Sequence, residues 1–349
     1  MRLIARLLIL SLPLFSLSSE AATVSDLYQV REPVASQQPE ERDAALGRAL
    51  QTLVLRLTGD GEAVNNPALA ELREDPQQII SRYGYEQDRL LVDFDPVSTD
   101  RSLRQAGLSL WGVNRPAILT WWLNDGSDGS SLVGDGQGSA APLRQAAQHR
   151  GLPLRLPIAD LNEQLLATPE NLGAVEPQAL RTASERYAAD ALLAVQARED
   201  NGQWQAQWRL WLGDTREQGK AQGADQAALA DAVLLLVSER LAQRYVVAPG
   251  VATNLTLEVQ GTDLARYAEL QRILEPLAAQ LRRIEGDRLI YSVNANANAE
   301  QLRAQLALVN LQEVAVEAQP IDAGQSMPPP NGEPAPQVLR RDDVLRFRW

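Results

Sequence analysis

The chain has no cysteine, a single histidine (His149) and a single lysine (Lys220) among its 349 residues. Without cysteine there is no disulfide, no thiolate metal site, no thiol nucleophile and no cysteine-linked lipid anchor. With one imidazole, zinc sites and serine triads shrink to a single candidate. No G-x-S-x-G elbow occurs, so a serine hydrolase has no recognisable nucleophile turn. Positive charge is also short: 33 Lys and Arg face 45 Asp and Glu, a net charge of −12. An acidic surface repels a phosphate backbone, so nucleic acid is not an expected partner.

Long apolar runs are missing as well. The longest, LLILSLPLFSL at residues 7–17, is too short to cross a bilayer. Arg2 and Arg6 stand at its start and SSEAA follows it, with Ser19 and Ala21 small where an export peptidase needs small residues. Residues 1–21 therefore read as a cleavable signal peptide. The expectation is a periplasmic protein with no transmembrane segment in its mature chain, and not a lipoprotein.

What is present falls into strand and helix patterns in alternation, an α+β class built as three small α/β sandwich modules. The first module spans 22–112. Leu27, Val30 and Val34 suggest an extended strand, and Leu46, Leu50, Leu53, Val54 and Leu57 recur at helical spacing after Pro39-Glu40-Glu41. RLLVDFDPV alternates Leu90, Val92 and Phe94 against Leu91, Asp93 and Asp95, as a half-buried strand does.

The second module spans 113–249. It opens on RPAILTWWLND, a buried strand by composition. The Gly/Ser/Asp stretch NDGSDGSSLVGDGQGS shows no periodicity and reads as a loop. A helix, a strand in LPLRLPI and a second helix follow, then two strands, a polar strand TREQGKAQG and a long helix. In ALLAVQAREDNGQWQAQWRLWL, Asn201-Gly202 is a type I′ turn signal. Pairing Asp200 with Gln203 sets Ala197 against Ala206, Val195 against Trp208 and Leu193 against Leu210, all on one face. Trp211 falls on the other face, beside Arg209, either covered by a helix or exposed.

The third module, 250–320, has the order β-α-β-β-α-β of ferredoxin-like units. Its first helix carries Leu264, Tyr267, Leu270 and Leu274 on one side, and a hairpin turns at Gly286-Asp287. Residues 321–349 are a Pro-rich linker followed by DDVLRFRW, in which Leu345, Phe347 and Trp349 alternate with Val344, Arg346 and Arg348.

Several phrases carry a family likeness. LYQVREPVASQQPEERDAALGRALQTLVLRLTG, LRQAGLSLWGVNRPAILTWWLND and HRGLPLRLPIADLNE resemble an uncharacterised family of exported Gram-negative proteins, a domain-of-unknown-function family, across the whole mature chain. That resemblance implies no activity. The middle segment, SERYAADALLAVQAREDNGQWQAQWRLWLGD, is similar to the amino-terminal domain of the Tol-system propeller protein. It is similar also to the lipoproteins that activate penicillin-binding proteins or build the curli secretion channel. Ala189, Asp190, Ala191 and Gly202 match. The resemblance implies a non-catalytic envelope adaptor that binds other proteins.

Three sets of side chains are candidates for function. His149, in AAQHRG, is either a lone general base or a helix-end histidine interacting with the dipole, and the second reading is preferred. Asp160 and Glu163, in LPIADLNE, could bind a divalent cation or work as an acid/base pair; the preferred reading is an N-cap with a capping-box partner. The tail residues Leu345, Phe347 and Trp349 either complete a sheet of their own chain as an edge strand or dock as a strand on a partner, with Trp211 as a further contact.

The reading taken forward is a non-catalytic adaptor or assembly factor of the cell envelope, with unidentified envelope proteins as partners and no cofactor or metal. The alternatives are a metal-dependent or hydrolytic periplasmic enzyme using Asp160 and Glu163, with His149, and a structural brace associated with peptidoglycan or the outer membrane.

Overall fold

A computed structural model describes residues 22–23, 26–126, 129–246, 253–274, 277, 279–295, 299–314 and 344–349. The signal-peptide reading and the linker at 321–343 lie outside the described residues.

In the first module, β2 (Gln29–Pro33) pairs with β4 (Arg89–Phe94), which pairs with β3 (Ile80–Glu86), all antiparallel. A two-residue β1 (Ala22–Thr23) pairs instead with β5 (Asn114–Arg115) at the start of the second module. Helix α1 (Pro39–Thr58) lies on the three-stranded sheet, with short α2 (Ala70–Glu74) and α3 (Pro96–Gln105) beside it. Pro39 sits where a helix needs no N–H donor, Glu40 and Glu41 face the positive end of the dipole, and Gly59 ends the helix at φ 62°. The predicted apolar stripe of α1 is buried, together with Leu90, Val92 and Phe94 of β4. Gly59 has a second reason to be glycine. A Cβ there would sit 2.2 Å from the Cβ of Ala242 in the second module's long helix.

The second module is a mixed six-stranded sheet. Its path runs β11 (Thr215–Gly223), β10 (Gln203–Leu212), β9 (Ala191–Asp200), β6 (Ile118–Gly126), β7 (Gly129–Leu132), with β8 (Leu154–Arg155) also paired to β6. The β9–β10 hairpin has the register read from the sequence, including Val195 against Trp208 and Leu193 against Leu210. Asn201 and Gly202 both have positive φ, as a type I′ turn requires. One face of the sheet packs on α4 (Ala141–Arg150) and α8 (Gln226–Tyr245). The other packs on α5 (Leu161–Leu166), α6 (Pro169–Gly173) and α7 (Gln178–Ser184).

Two expectations for this module change. The glycine-rich stretch begins as a hairpin, since Asn124 pairs with Ser131 and Asp125 with Ser130. β7 is an edge strand exposed at three of its four residues, so no apolar alternation marks it. In LPLRLPI only Leu154 and Arg155 form a strand, because the prolines on either side supply no ladder donor.

The third module contains β12 (Thr253–Gln260), α9 (Leu264–Leu274), β13 (Ala279–Glu285), β14 (Arg288–Ala295), α10 (Ala299–Ala307), β15 (Gln312–Glu313) and β16 (Val344–Arg348). Its order is β13-β14-β12-β16-β15. The β-α-β-β-α-β order is present, with one addition: the tail strand lies inside the sheet, parallel to β12 and antiparallel to β15. Leu264 is 84 % exposed, outside the packed face that Leu270, Ile273 and Leu274 make. It opens its helix, ahead of the turn where packing begins. The module docks through α10, whose Ala304 joins the core around α8 together with nearby Leu308.

Candidate functional site

The residues singled out in the sequence separate onto two faces of the six-stranded sheet. His149 ends α4 on one face, and Asp160 and Glu163 open α5 on the other. The three therefore do not form one polar cluster.

His149 sits where the first and second modules meet. Its Nε2 lies 2.9 Å from Thr52 Oγ1, and that hydroxyl donates to Glu32 at 2.8 Å. Nε2 is 3.6 Å from Glu32 itself, and Nδ1 is 3.5 Å from Asp231 Oδ1. Arg150 donates to the other oxygen of Asp231 at 2.6 Å. Oδ1 is buried and has no hydrogen bond of ordinary length, so a proton on Nδ1 is the group placed to serve it. Contacts with Asp231 and then Glu32 raise the imidazole above its usual range against a smaller opposing effect of burial. Glu32, His149 and Asp231 line a cleft of about 310 Å³.

Two arginines that sequence patterns did not single out support this junction: Arg56, which also lines the cleft, and Arg115. Arg56 is buried in α1 and donates to the carbonyls of Asp26, Leu27 and Gln29 at 3.1, 3.0 and 2.7 Å, and to that of His149 at 3.3 Å. Burial lowers its pKa to about 10. Arg115, fully buried, donates to the carbonyls of Arg56 (2.6 Å), Trp111 (3.0 Å), Gly112, Arg150 and Gly151 (3.1 Å each). Its guanidinium lies 4.3 Å from the centre of the Trp111 ring, and burial lowers its pKa to about 9. The carbonyls of Arg56 and Arg150 are among those that the ends of α1 and α4 leave without a helical donor, and a cation there also meets the negative end of each dipole. Gly151 makes room: a Cβ would fall 2.7 Å from Arg56 Cγ and 3.0 Å from Arg115 Nη1.

On the opposite face, Asp160 caps α5. Its carboxylate accepts from Glu163 N at 2.9 Å, and Glu163 accepts from Asp160 N at 3.3 Å, a reciprocal capping box. Glu163 is buried and also takes the Tyr187 hydroxyl at 2.5 Å and an ion pair from Arg186. Backbone and Arg186 hydrogen bonds hold Asp160 below the usual carboxylate range. Both carboxylates thus serve the helix start and its neighbour. Among the described residues, no three His, Asp or Glu side chains gather as a metal-holding group.

Residues 21–112 match a domain of unknown function (DUF8605). The match takes in LYQVREPV, α1 and the opening LRQAGLSLWG of the second phrase, and stops at Gly112, so it covers the first module and not VNRPAILTWWLND or HRGLPLRLPIADLNE. No curated protein and no solved structure matches the chain. The DUF8605 segment supplies Glu32, Thr52 and Arg56 to the junction; the remaining chain supplies Arg115, His149, Arg150 and Asp231.

The other candidate residues lie inside the chain. Trp211 is covered by the α5–α7 layer, and its indole donates to the Val175 carbonyl at 3.2 Å. Leu345 and Phe347 are both 2 % exposed in the third module's core. Trp349, half-buried, donates to the Val309 carbonyl at 3.1 Å. Of the two readings of the tail, the structure has the strand on its own sheet, in an interior position rather than at an edge. Its alternation fills that sheet's core and does not stand free on the surface.

The junction predicts a pH dependence. A folded pKa raised above the unfolded value of about 6.5 gives stability that is full below that pH and fades as pH rises through the folded pKa. Asp231, held low chiefly by His149 and Arg150 against its burial, stays charged across that window. Because the imidazole is about a third exposed, the effect is at most on the order of 1 kcal/mol. His149→Gln should flatten the fall in Tm between pH 6 and pH 8; an unchanged slope would count against the charged bridge.

Proposed function

We propose that this protein is a non-catalytic adaptor or assembly factor of the cell envelope, exported to the periplasm, that works by binding other proteins. The observation that carries this reading is a set of exposed apolar residues in and around the α5–α7 layer. Ile158, Leu161, Leu165 and Val175 are 61, 71, 69 and 60 % exposed. Leu161 and Leu165 stand four residues apart, on one side of α5.

A helix of six residues does not persist on propensity alone. Here the capping box starts it, and Asn171 ties down its far end by donating to the Leu166 carbonyl at 2.8 Å. The fold thus fixes apolar side chains toward water, and such exposed patches mark contact surfaces for proteins. The chain's net charge of −12 favours a partner whose apolar face has a basic surround. The resemblance of the middle segment to envelope adaptor domains supports the same reading.

The test is affinity purification after crosslinking in cells, with Leu161→Arg/Leu165→Arg beside the unaltered protein. One specific envelope protein should co-purify, and the variant should recover at least about tenfold less at unchanged Tm, as loss of about 1.4 kcal/mol or more would give. Equal recovery would remove this face from the reading. No partner with either protein would remove the adaptor reading itself.

A further inference from the structure

The slot that β16 occupies has an uncommon relation to the chain that fills it. The Val314 N–H donates to the Arg346 carbonyl at 2.8 Å. Val314 is therefore opposite a residue only two positions past the start of β16. An antiparallel pair so placed is usually joined by a loop of about two to five residues. Here residues 315–343, 29 in all, stand between the two strands. A chain of that length can span up to about 100 Å, far more than the closure needs.

Recognition in the slot is complete within six residues. Val344 to Arg348 pair with Thr256 to Gln260. Leu345 and Phe347 enter the core. On the other face, Arg346 donates to Glu258 at 3.1 Å. Trp349 closes the end, its backbone N–H on the Gln260 carbonyl at 3.3 Å and its ring 5.6 Å from the Arg266 guanidinium. β15 is two residues long, so one side of the slot is lightly held. None of these contacts depends on which copy of the chain supplies the strand.

We propose that the slot between β12 and β15 is a strand-acceptor site between copies, in which residues 344–349 of one chain fill the third module of a second. This inference does not rest on the adaptor reading. A linker of this kind gives the chain's own tail an effective concentration on the order of millimolar. Dilute chains close on themselves, and exchange grows where chains are concentrated. The partner is a second copy of this chain, bound by main-chain ladder and alternate side chains.

The absence of cysteine makes a clean test. Glu258 and Arg346 are register partners, and neighbouring strands lie within disulfide reach. The full chain carrying both Glu258→Cys and Arg346→Cys should form a disulfide within one molecule. Two differently tagged full chains, one with Glu258→Cys and the other with Arg346→Cys, are then mixed under oxidising conditions. A heterodimer should form, with yield rising about tenfold for a tenfold rise in concentration below the millimolar range. It should exceed the yield of a control mixture that pairs Glu258→Cys with Asp43→Cys on the exposed surface of α1. The proposal is overturned if the double variant closes its disulfide while the mixed chains give no more heterodimer than the control. It is overturned equally if the double variant fails to close, because the register itself would then be wrong.

Discussion

Replacing Arg115 with methionine should destabilise the chain by about 3–5 kcal/mol and lower Tm by several degrees. The side chain serves five carbonyls from three places: the end of α1, the end of α4 and the connection at 111–112. Methionine fills part of the volume but donates to none of them. Each acceptor stranded away from water costs about 1–3 kcal/mol. Removal of the buried charge offsets part of that, because a fully buried guanidinium is itself expensive; its pKa, pushed down to about 9, records the expense. The balance favours loss, since the acceptors outnumber the single charge and two of them lie at helix ends. Arg115→Lys separates charge from geometry. A lysine keeps the cation but cannot fork to carbonyls in several directions, so it should recover less than half of the lost stability. Thermal denaturation of the three proteins is the measurement. A methionine variant within about 1 kcal/mol of the parent would show that the carbonyls find water instead.

The arginine clamp also shows where sequence reading stops. The β9–β10 hairpin was legible down to its register because each ingredient is local: an Asn-Gly turn, a period of two and a face of apolar residues. The role of Asp160 and Glu163 was legible for the same reason, since a capping box is written in residues three apart. The acceptors of Arg56 and Arg115 are backbone carbonyls, which no residue type marks. The one available hint was Arg56 itself, a basic residue on the buried stripe between Leu53 and Leu57 with no acidic residue within three positions. His149 was visible as a helix-end residue, but Glu32, Thr52 and Asp231 reach it from β2, α1 and α8. Trp211 was placed on the correct face, but only the packing of α5–α7 decided that it is covered. The glycine-rich stretch concealed a hairpin because an exposed edge strand carries no apolar period to read.

Ending the chain after Gln337 should unfold the third module while leaving the second intact. The truncation removes Leu345 and Phe347 from the core of that module and strips one side of β12 of its ladder partner. Emptying the space of two large buried side chains costs on the order of 5 kcal/mol or more. A small domain has about 5–15 kcal/mol in total, so the remaining four strands are left near or below their threshold. The exposed edge of β12 adds a hazard, since an unpaired apolar strand recruits other chains. The second module has its own cores on both sheet faces and loses the contacts made by α10 and Leu308. Amide hydrogen exchange separates the outcomes. Residues 255–259 of β12 and 289–293 of β14 should lose protection on truncation, whereas 192–197 of β9 and 206–211 of β10 should keep theirs. Retained protection in β12 would mean that the tail strand contributes little to the sheet that surrounds it. Because the truncation is expected to remove a module, a partner lost with it would not locate a binding surface; single exposed positions such as Leu161 and Leu165 serve that purpose better.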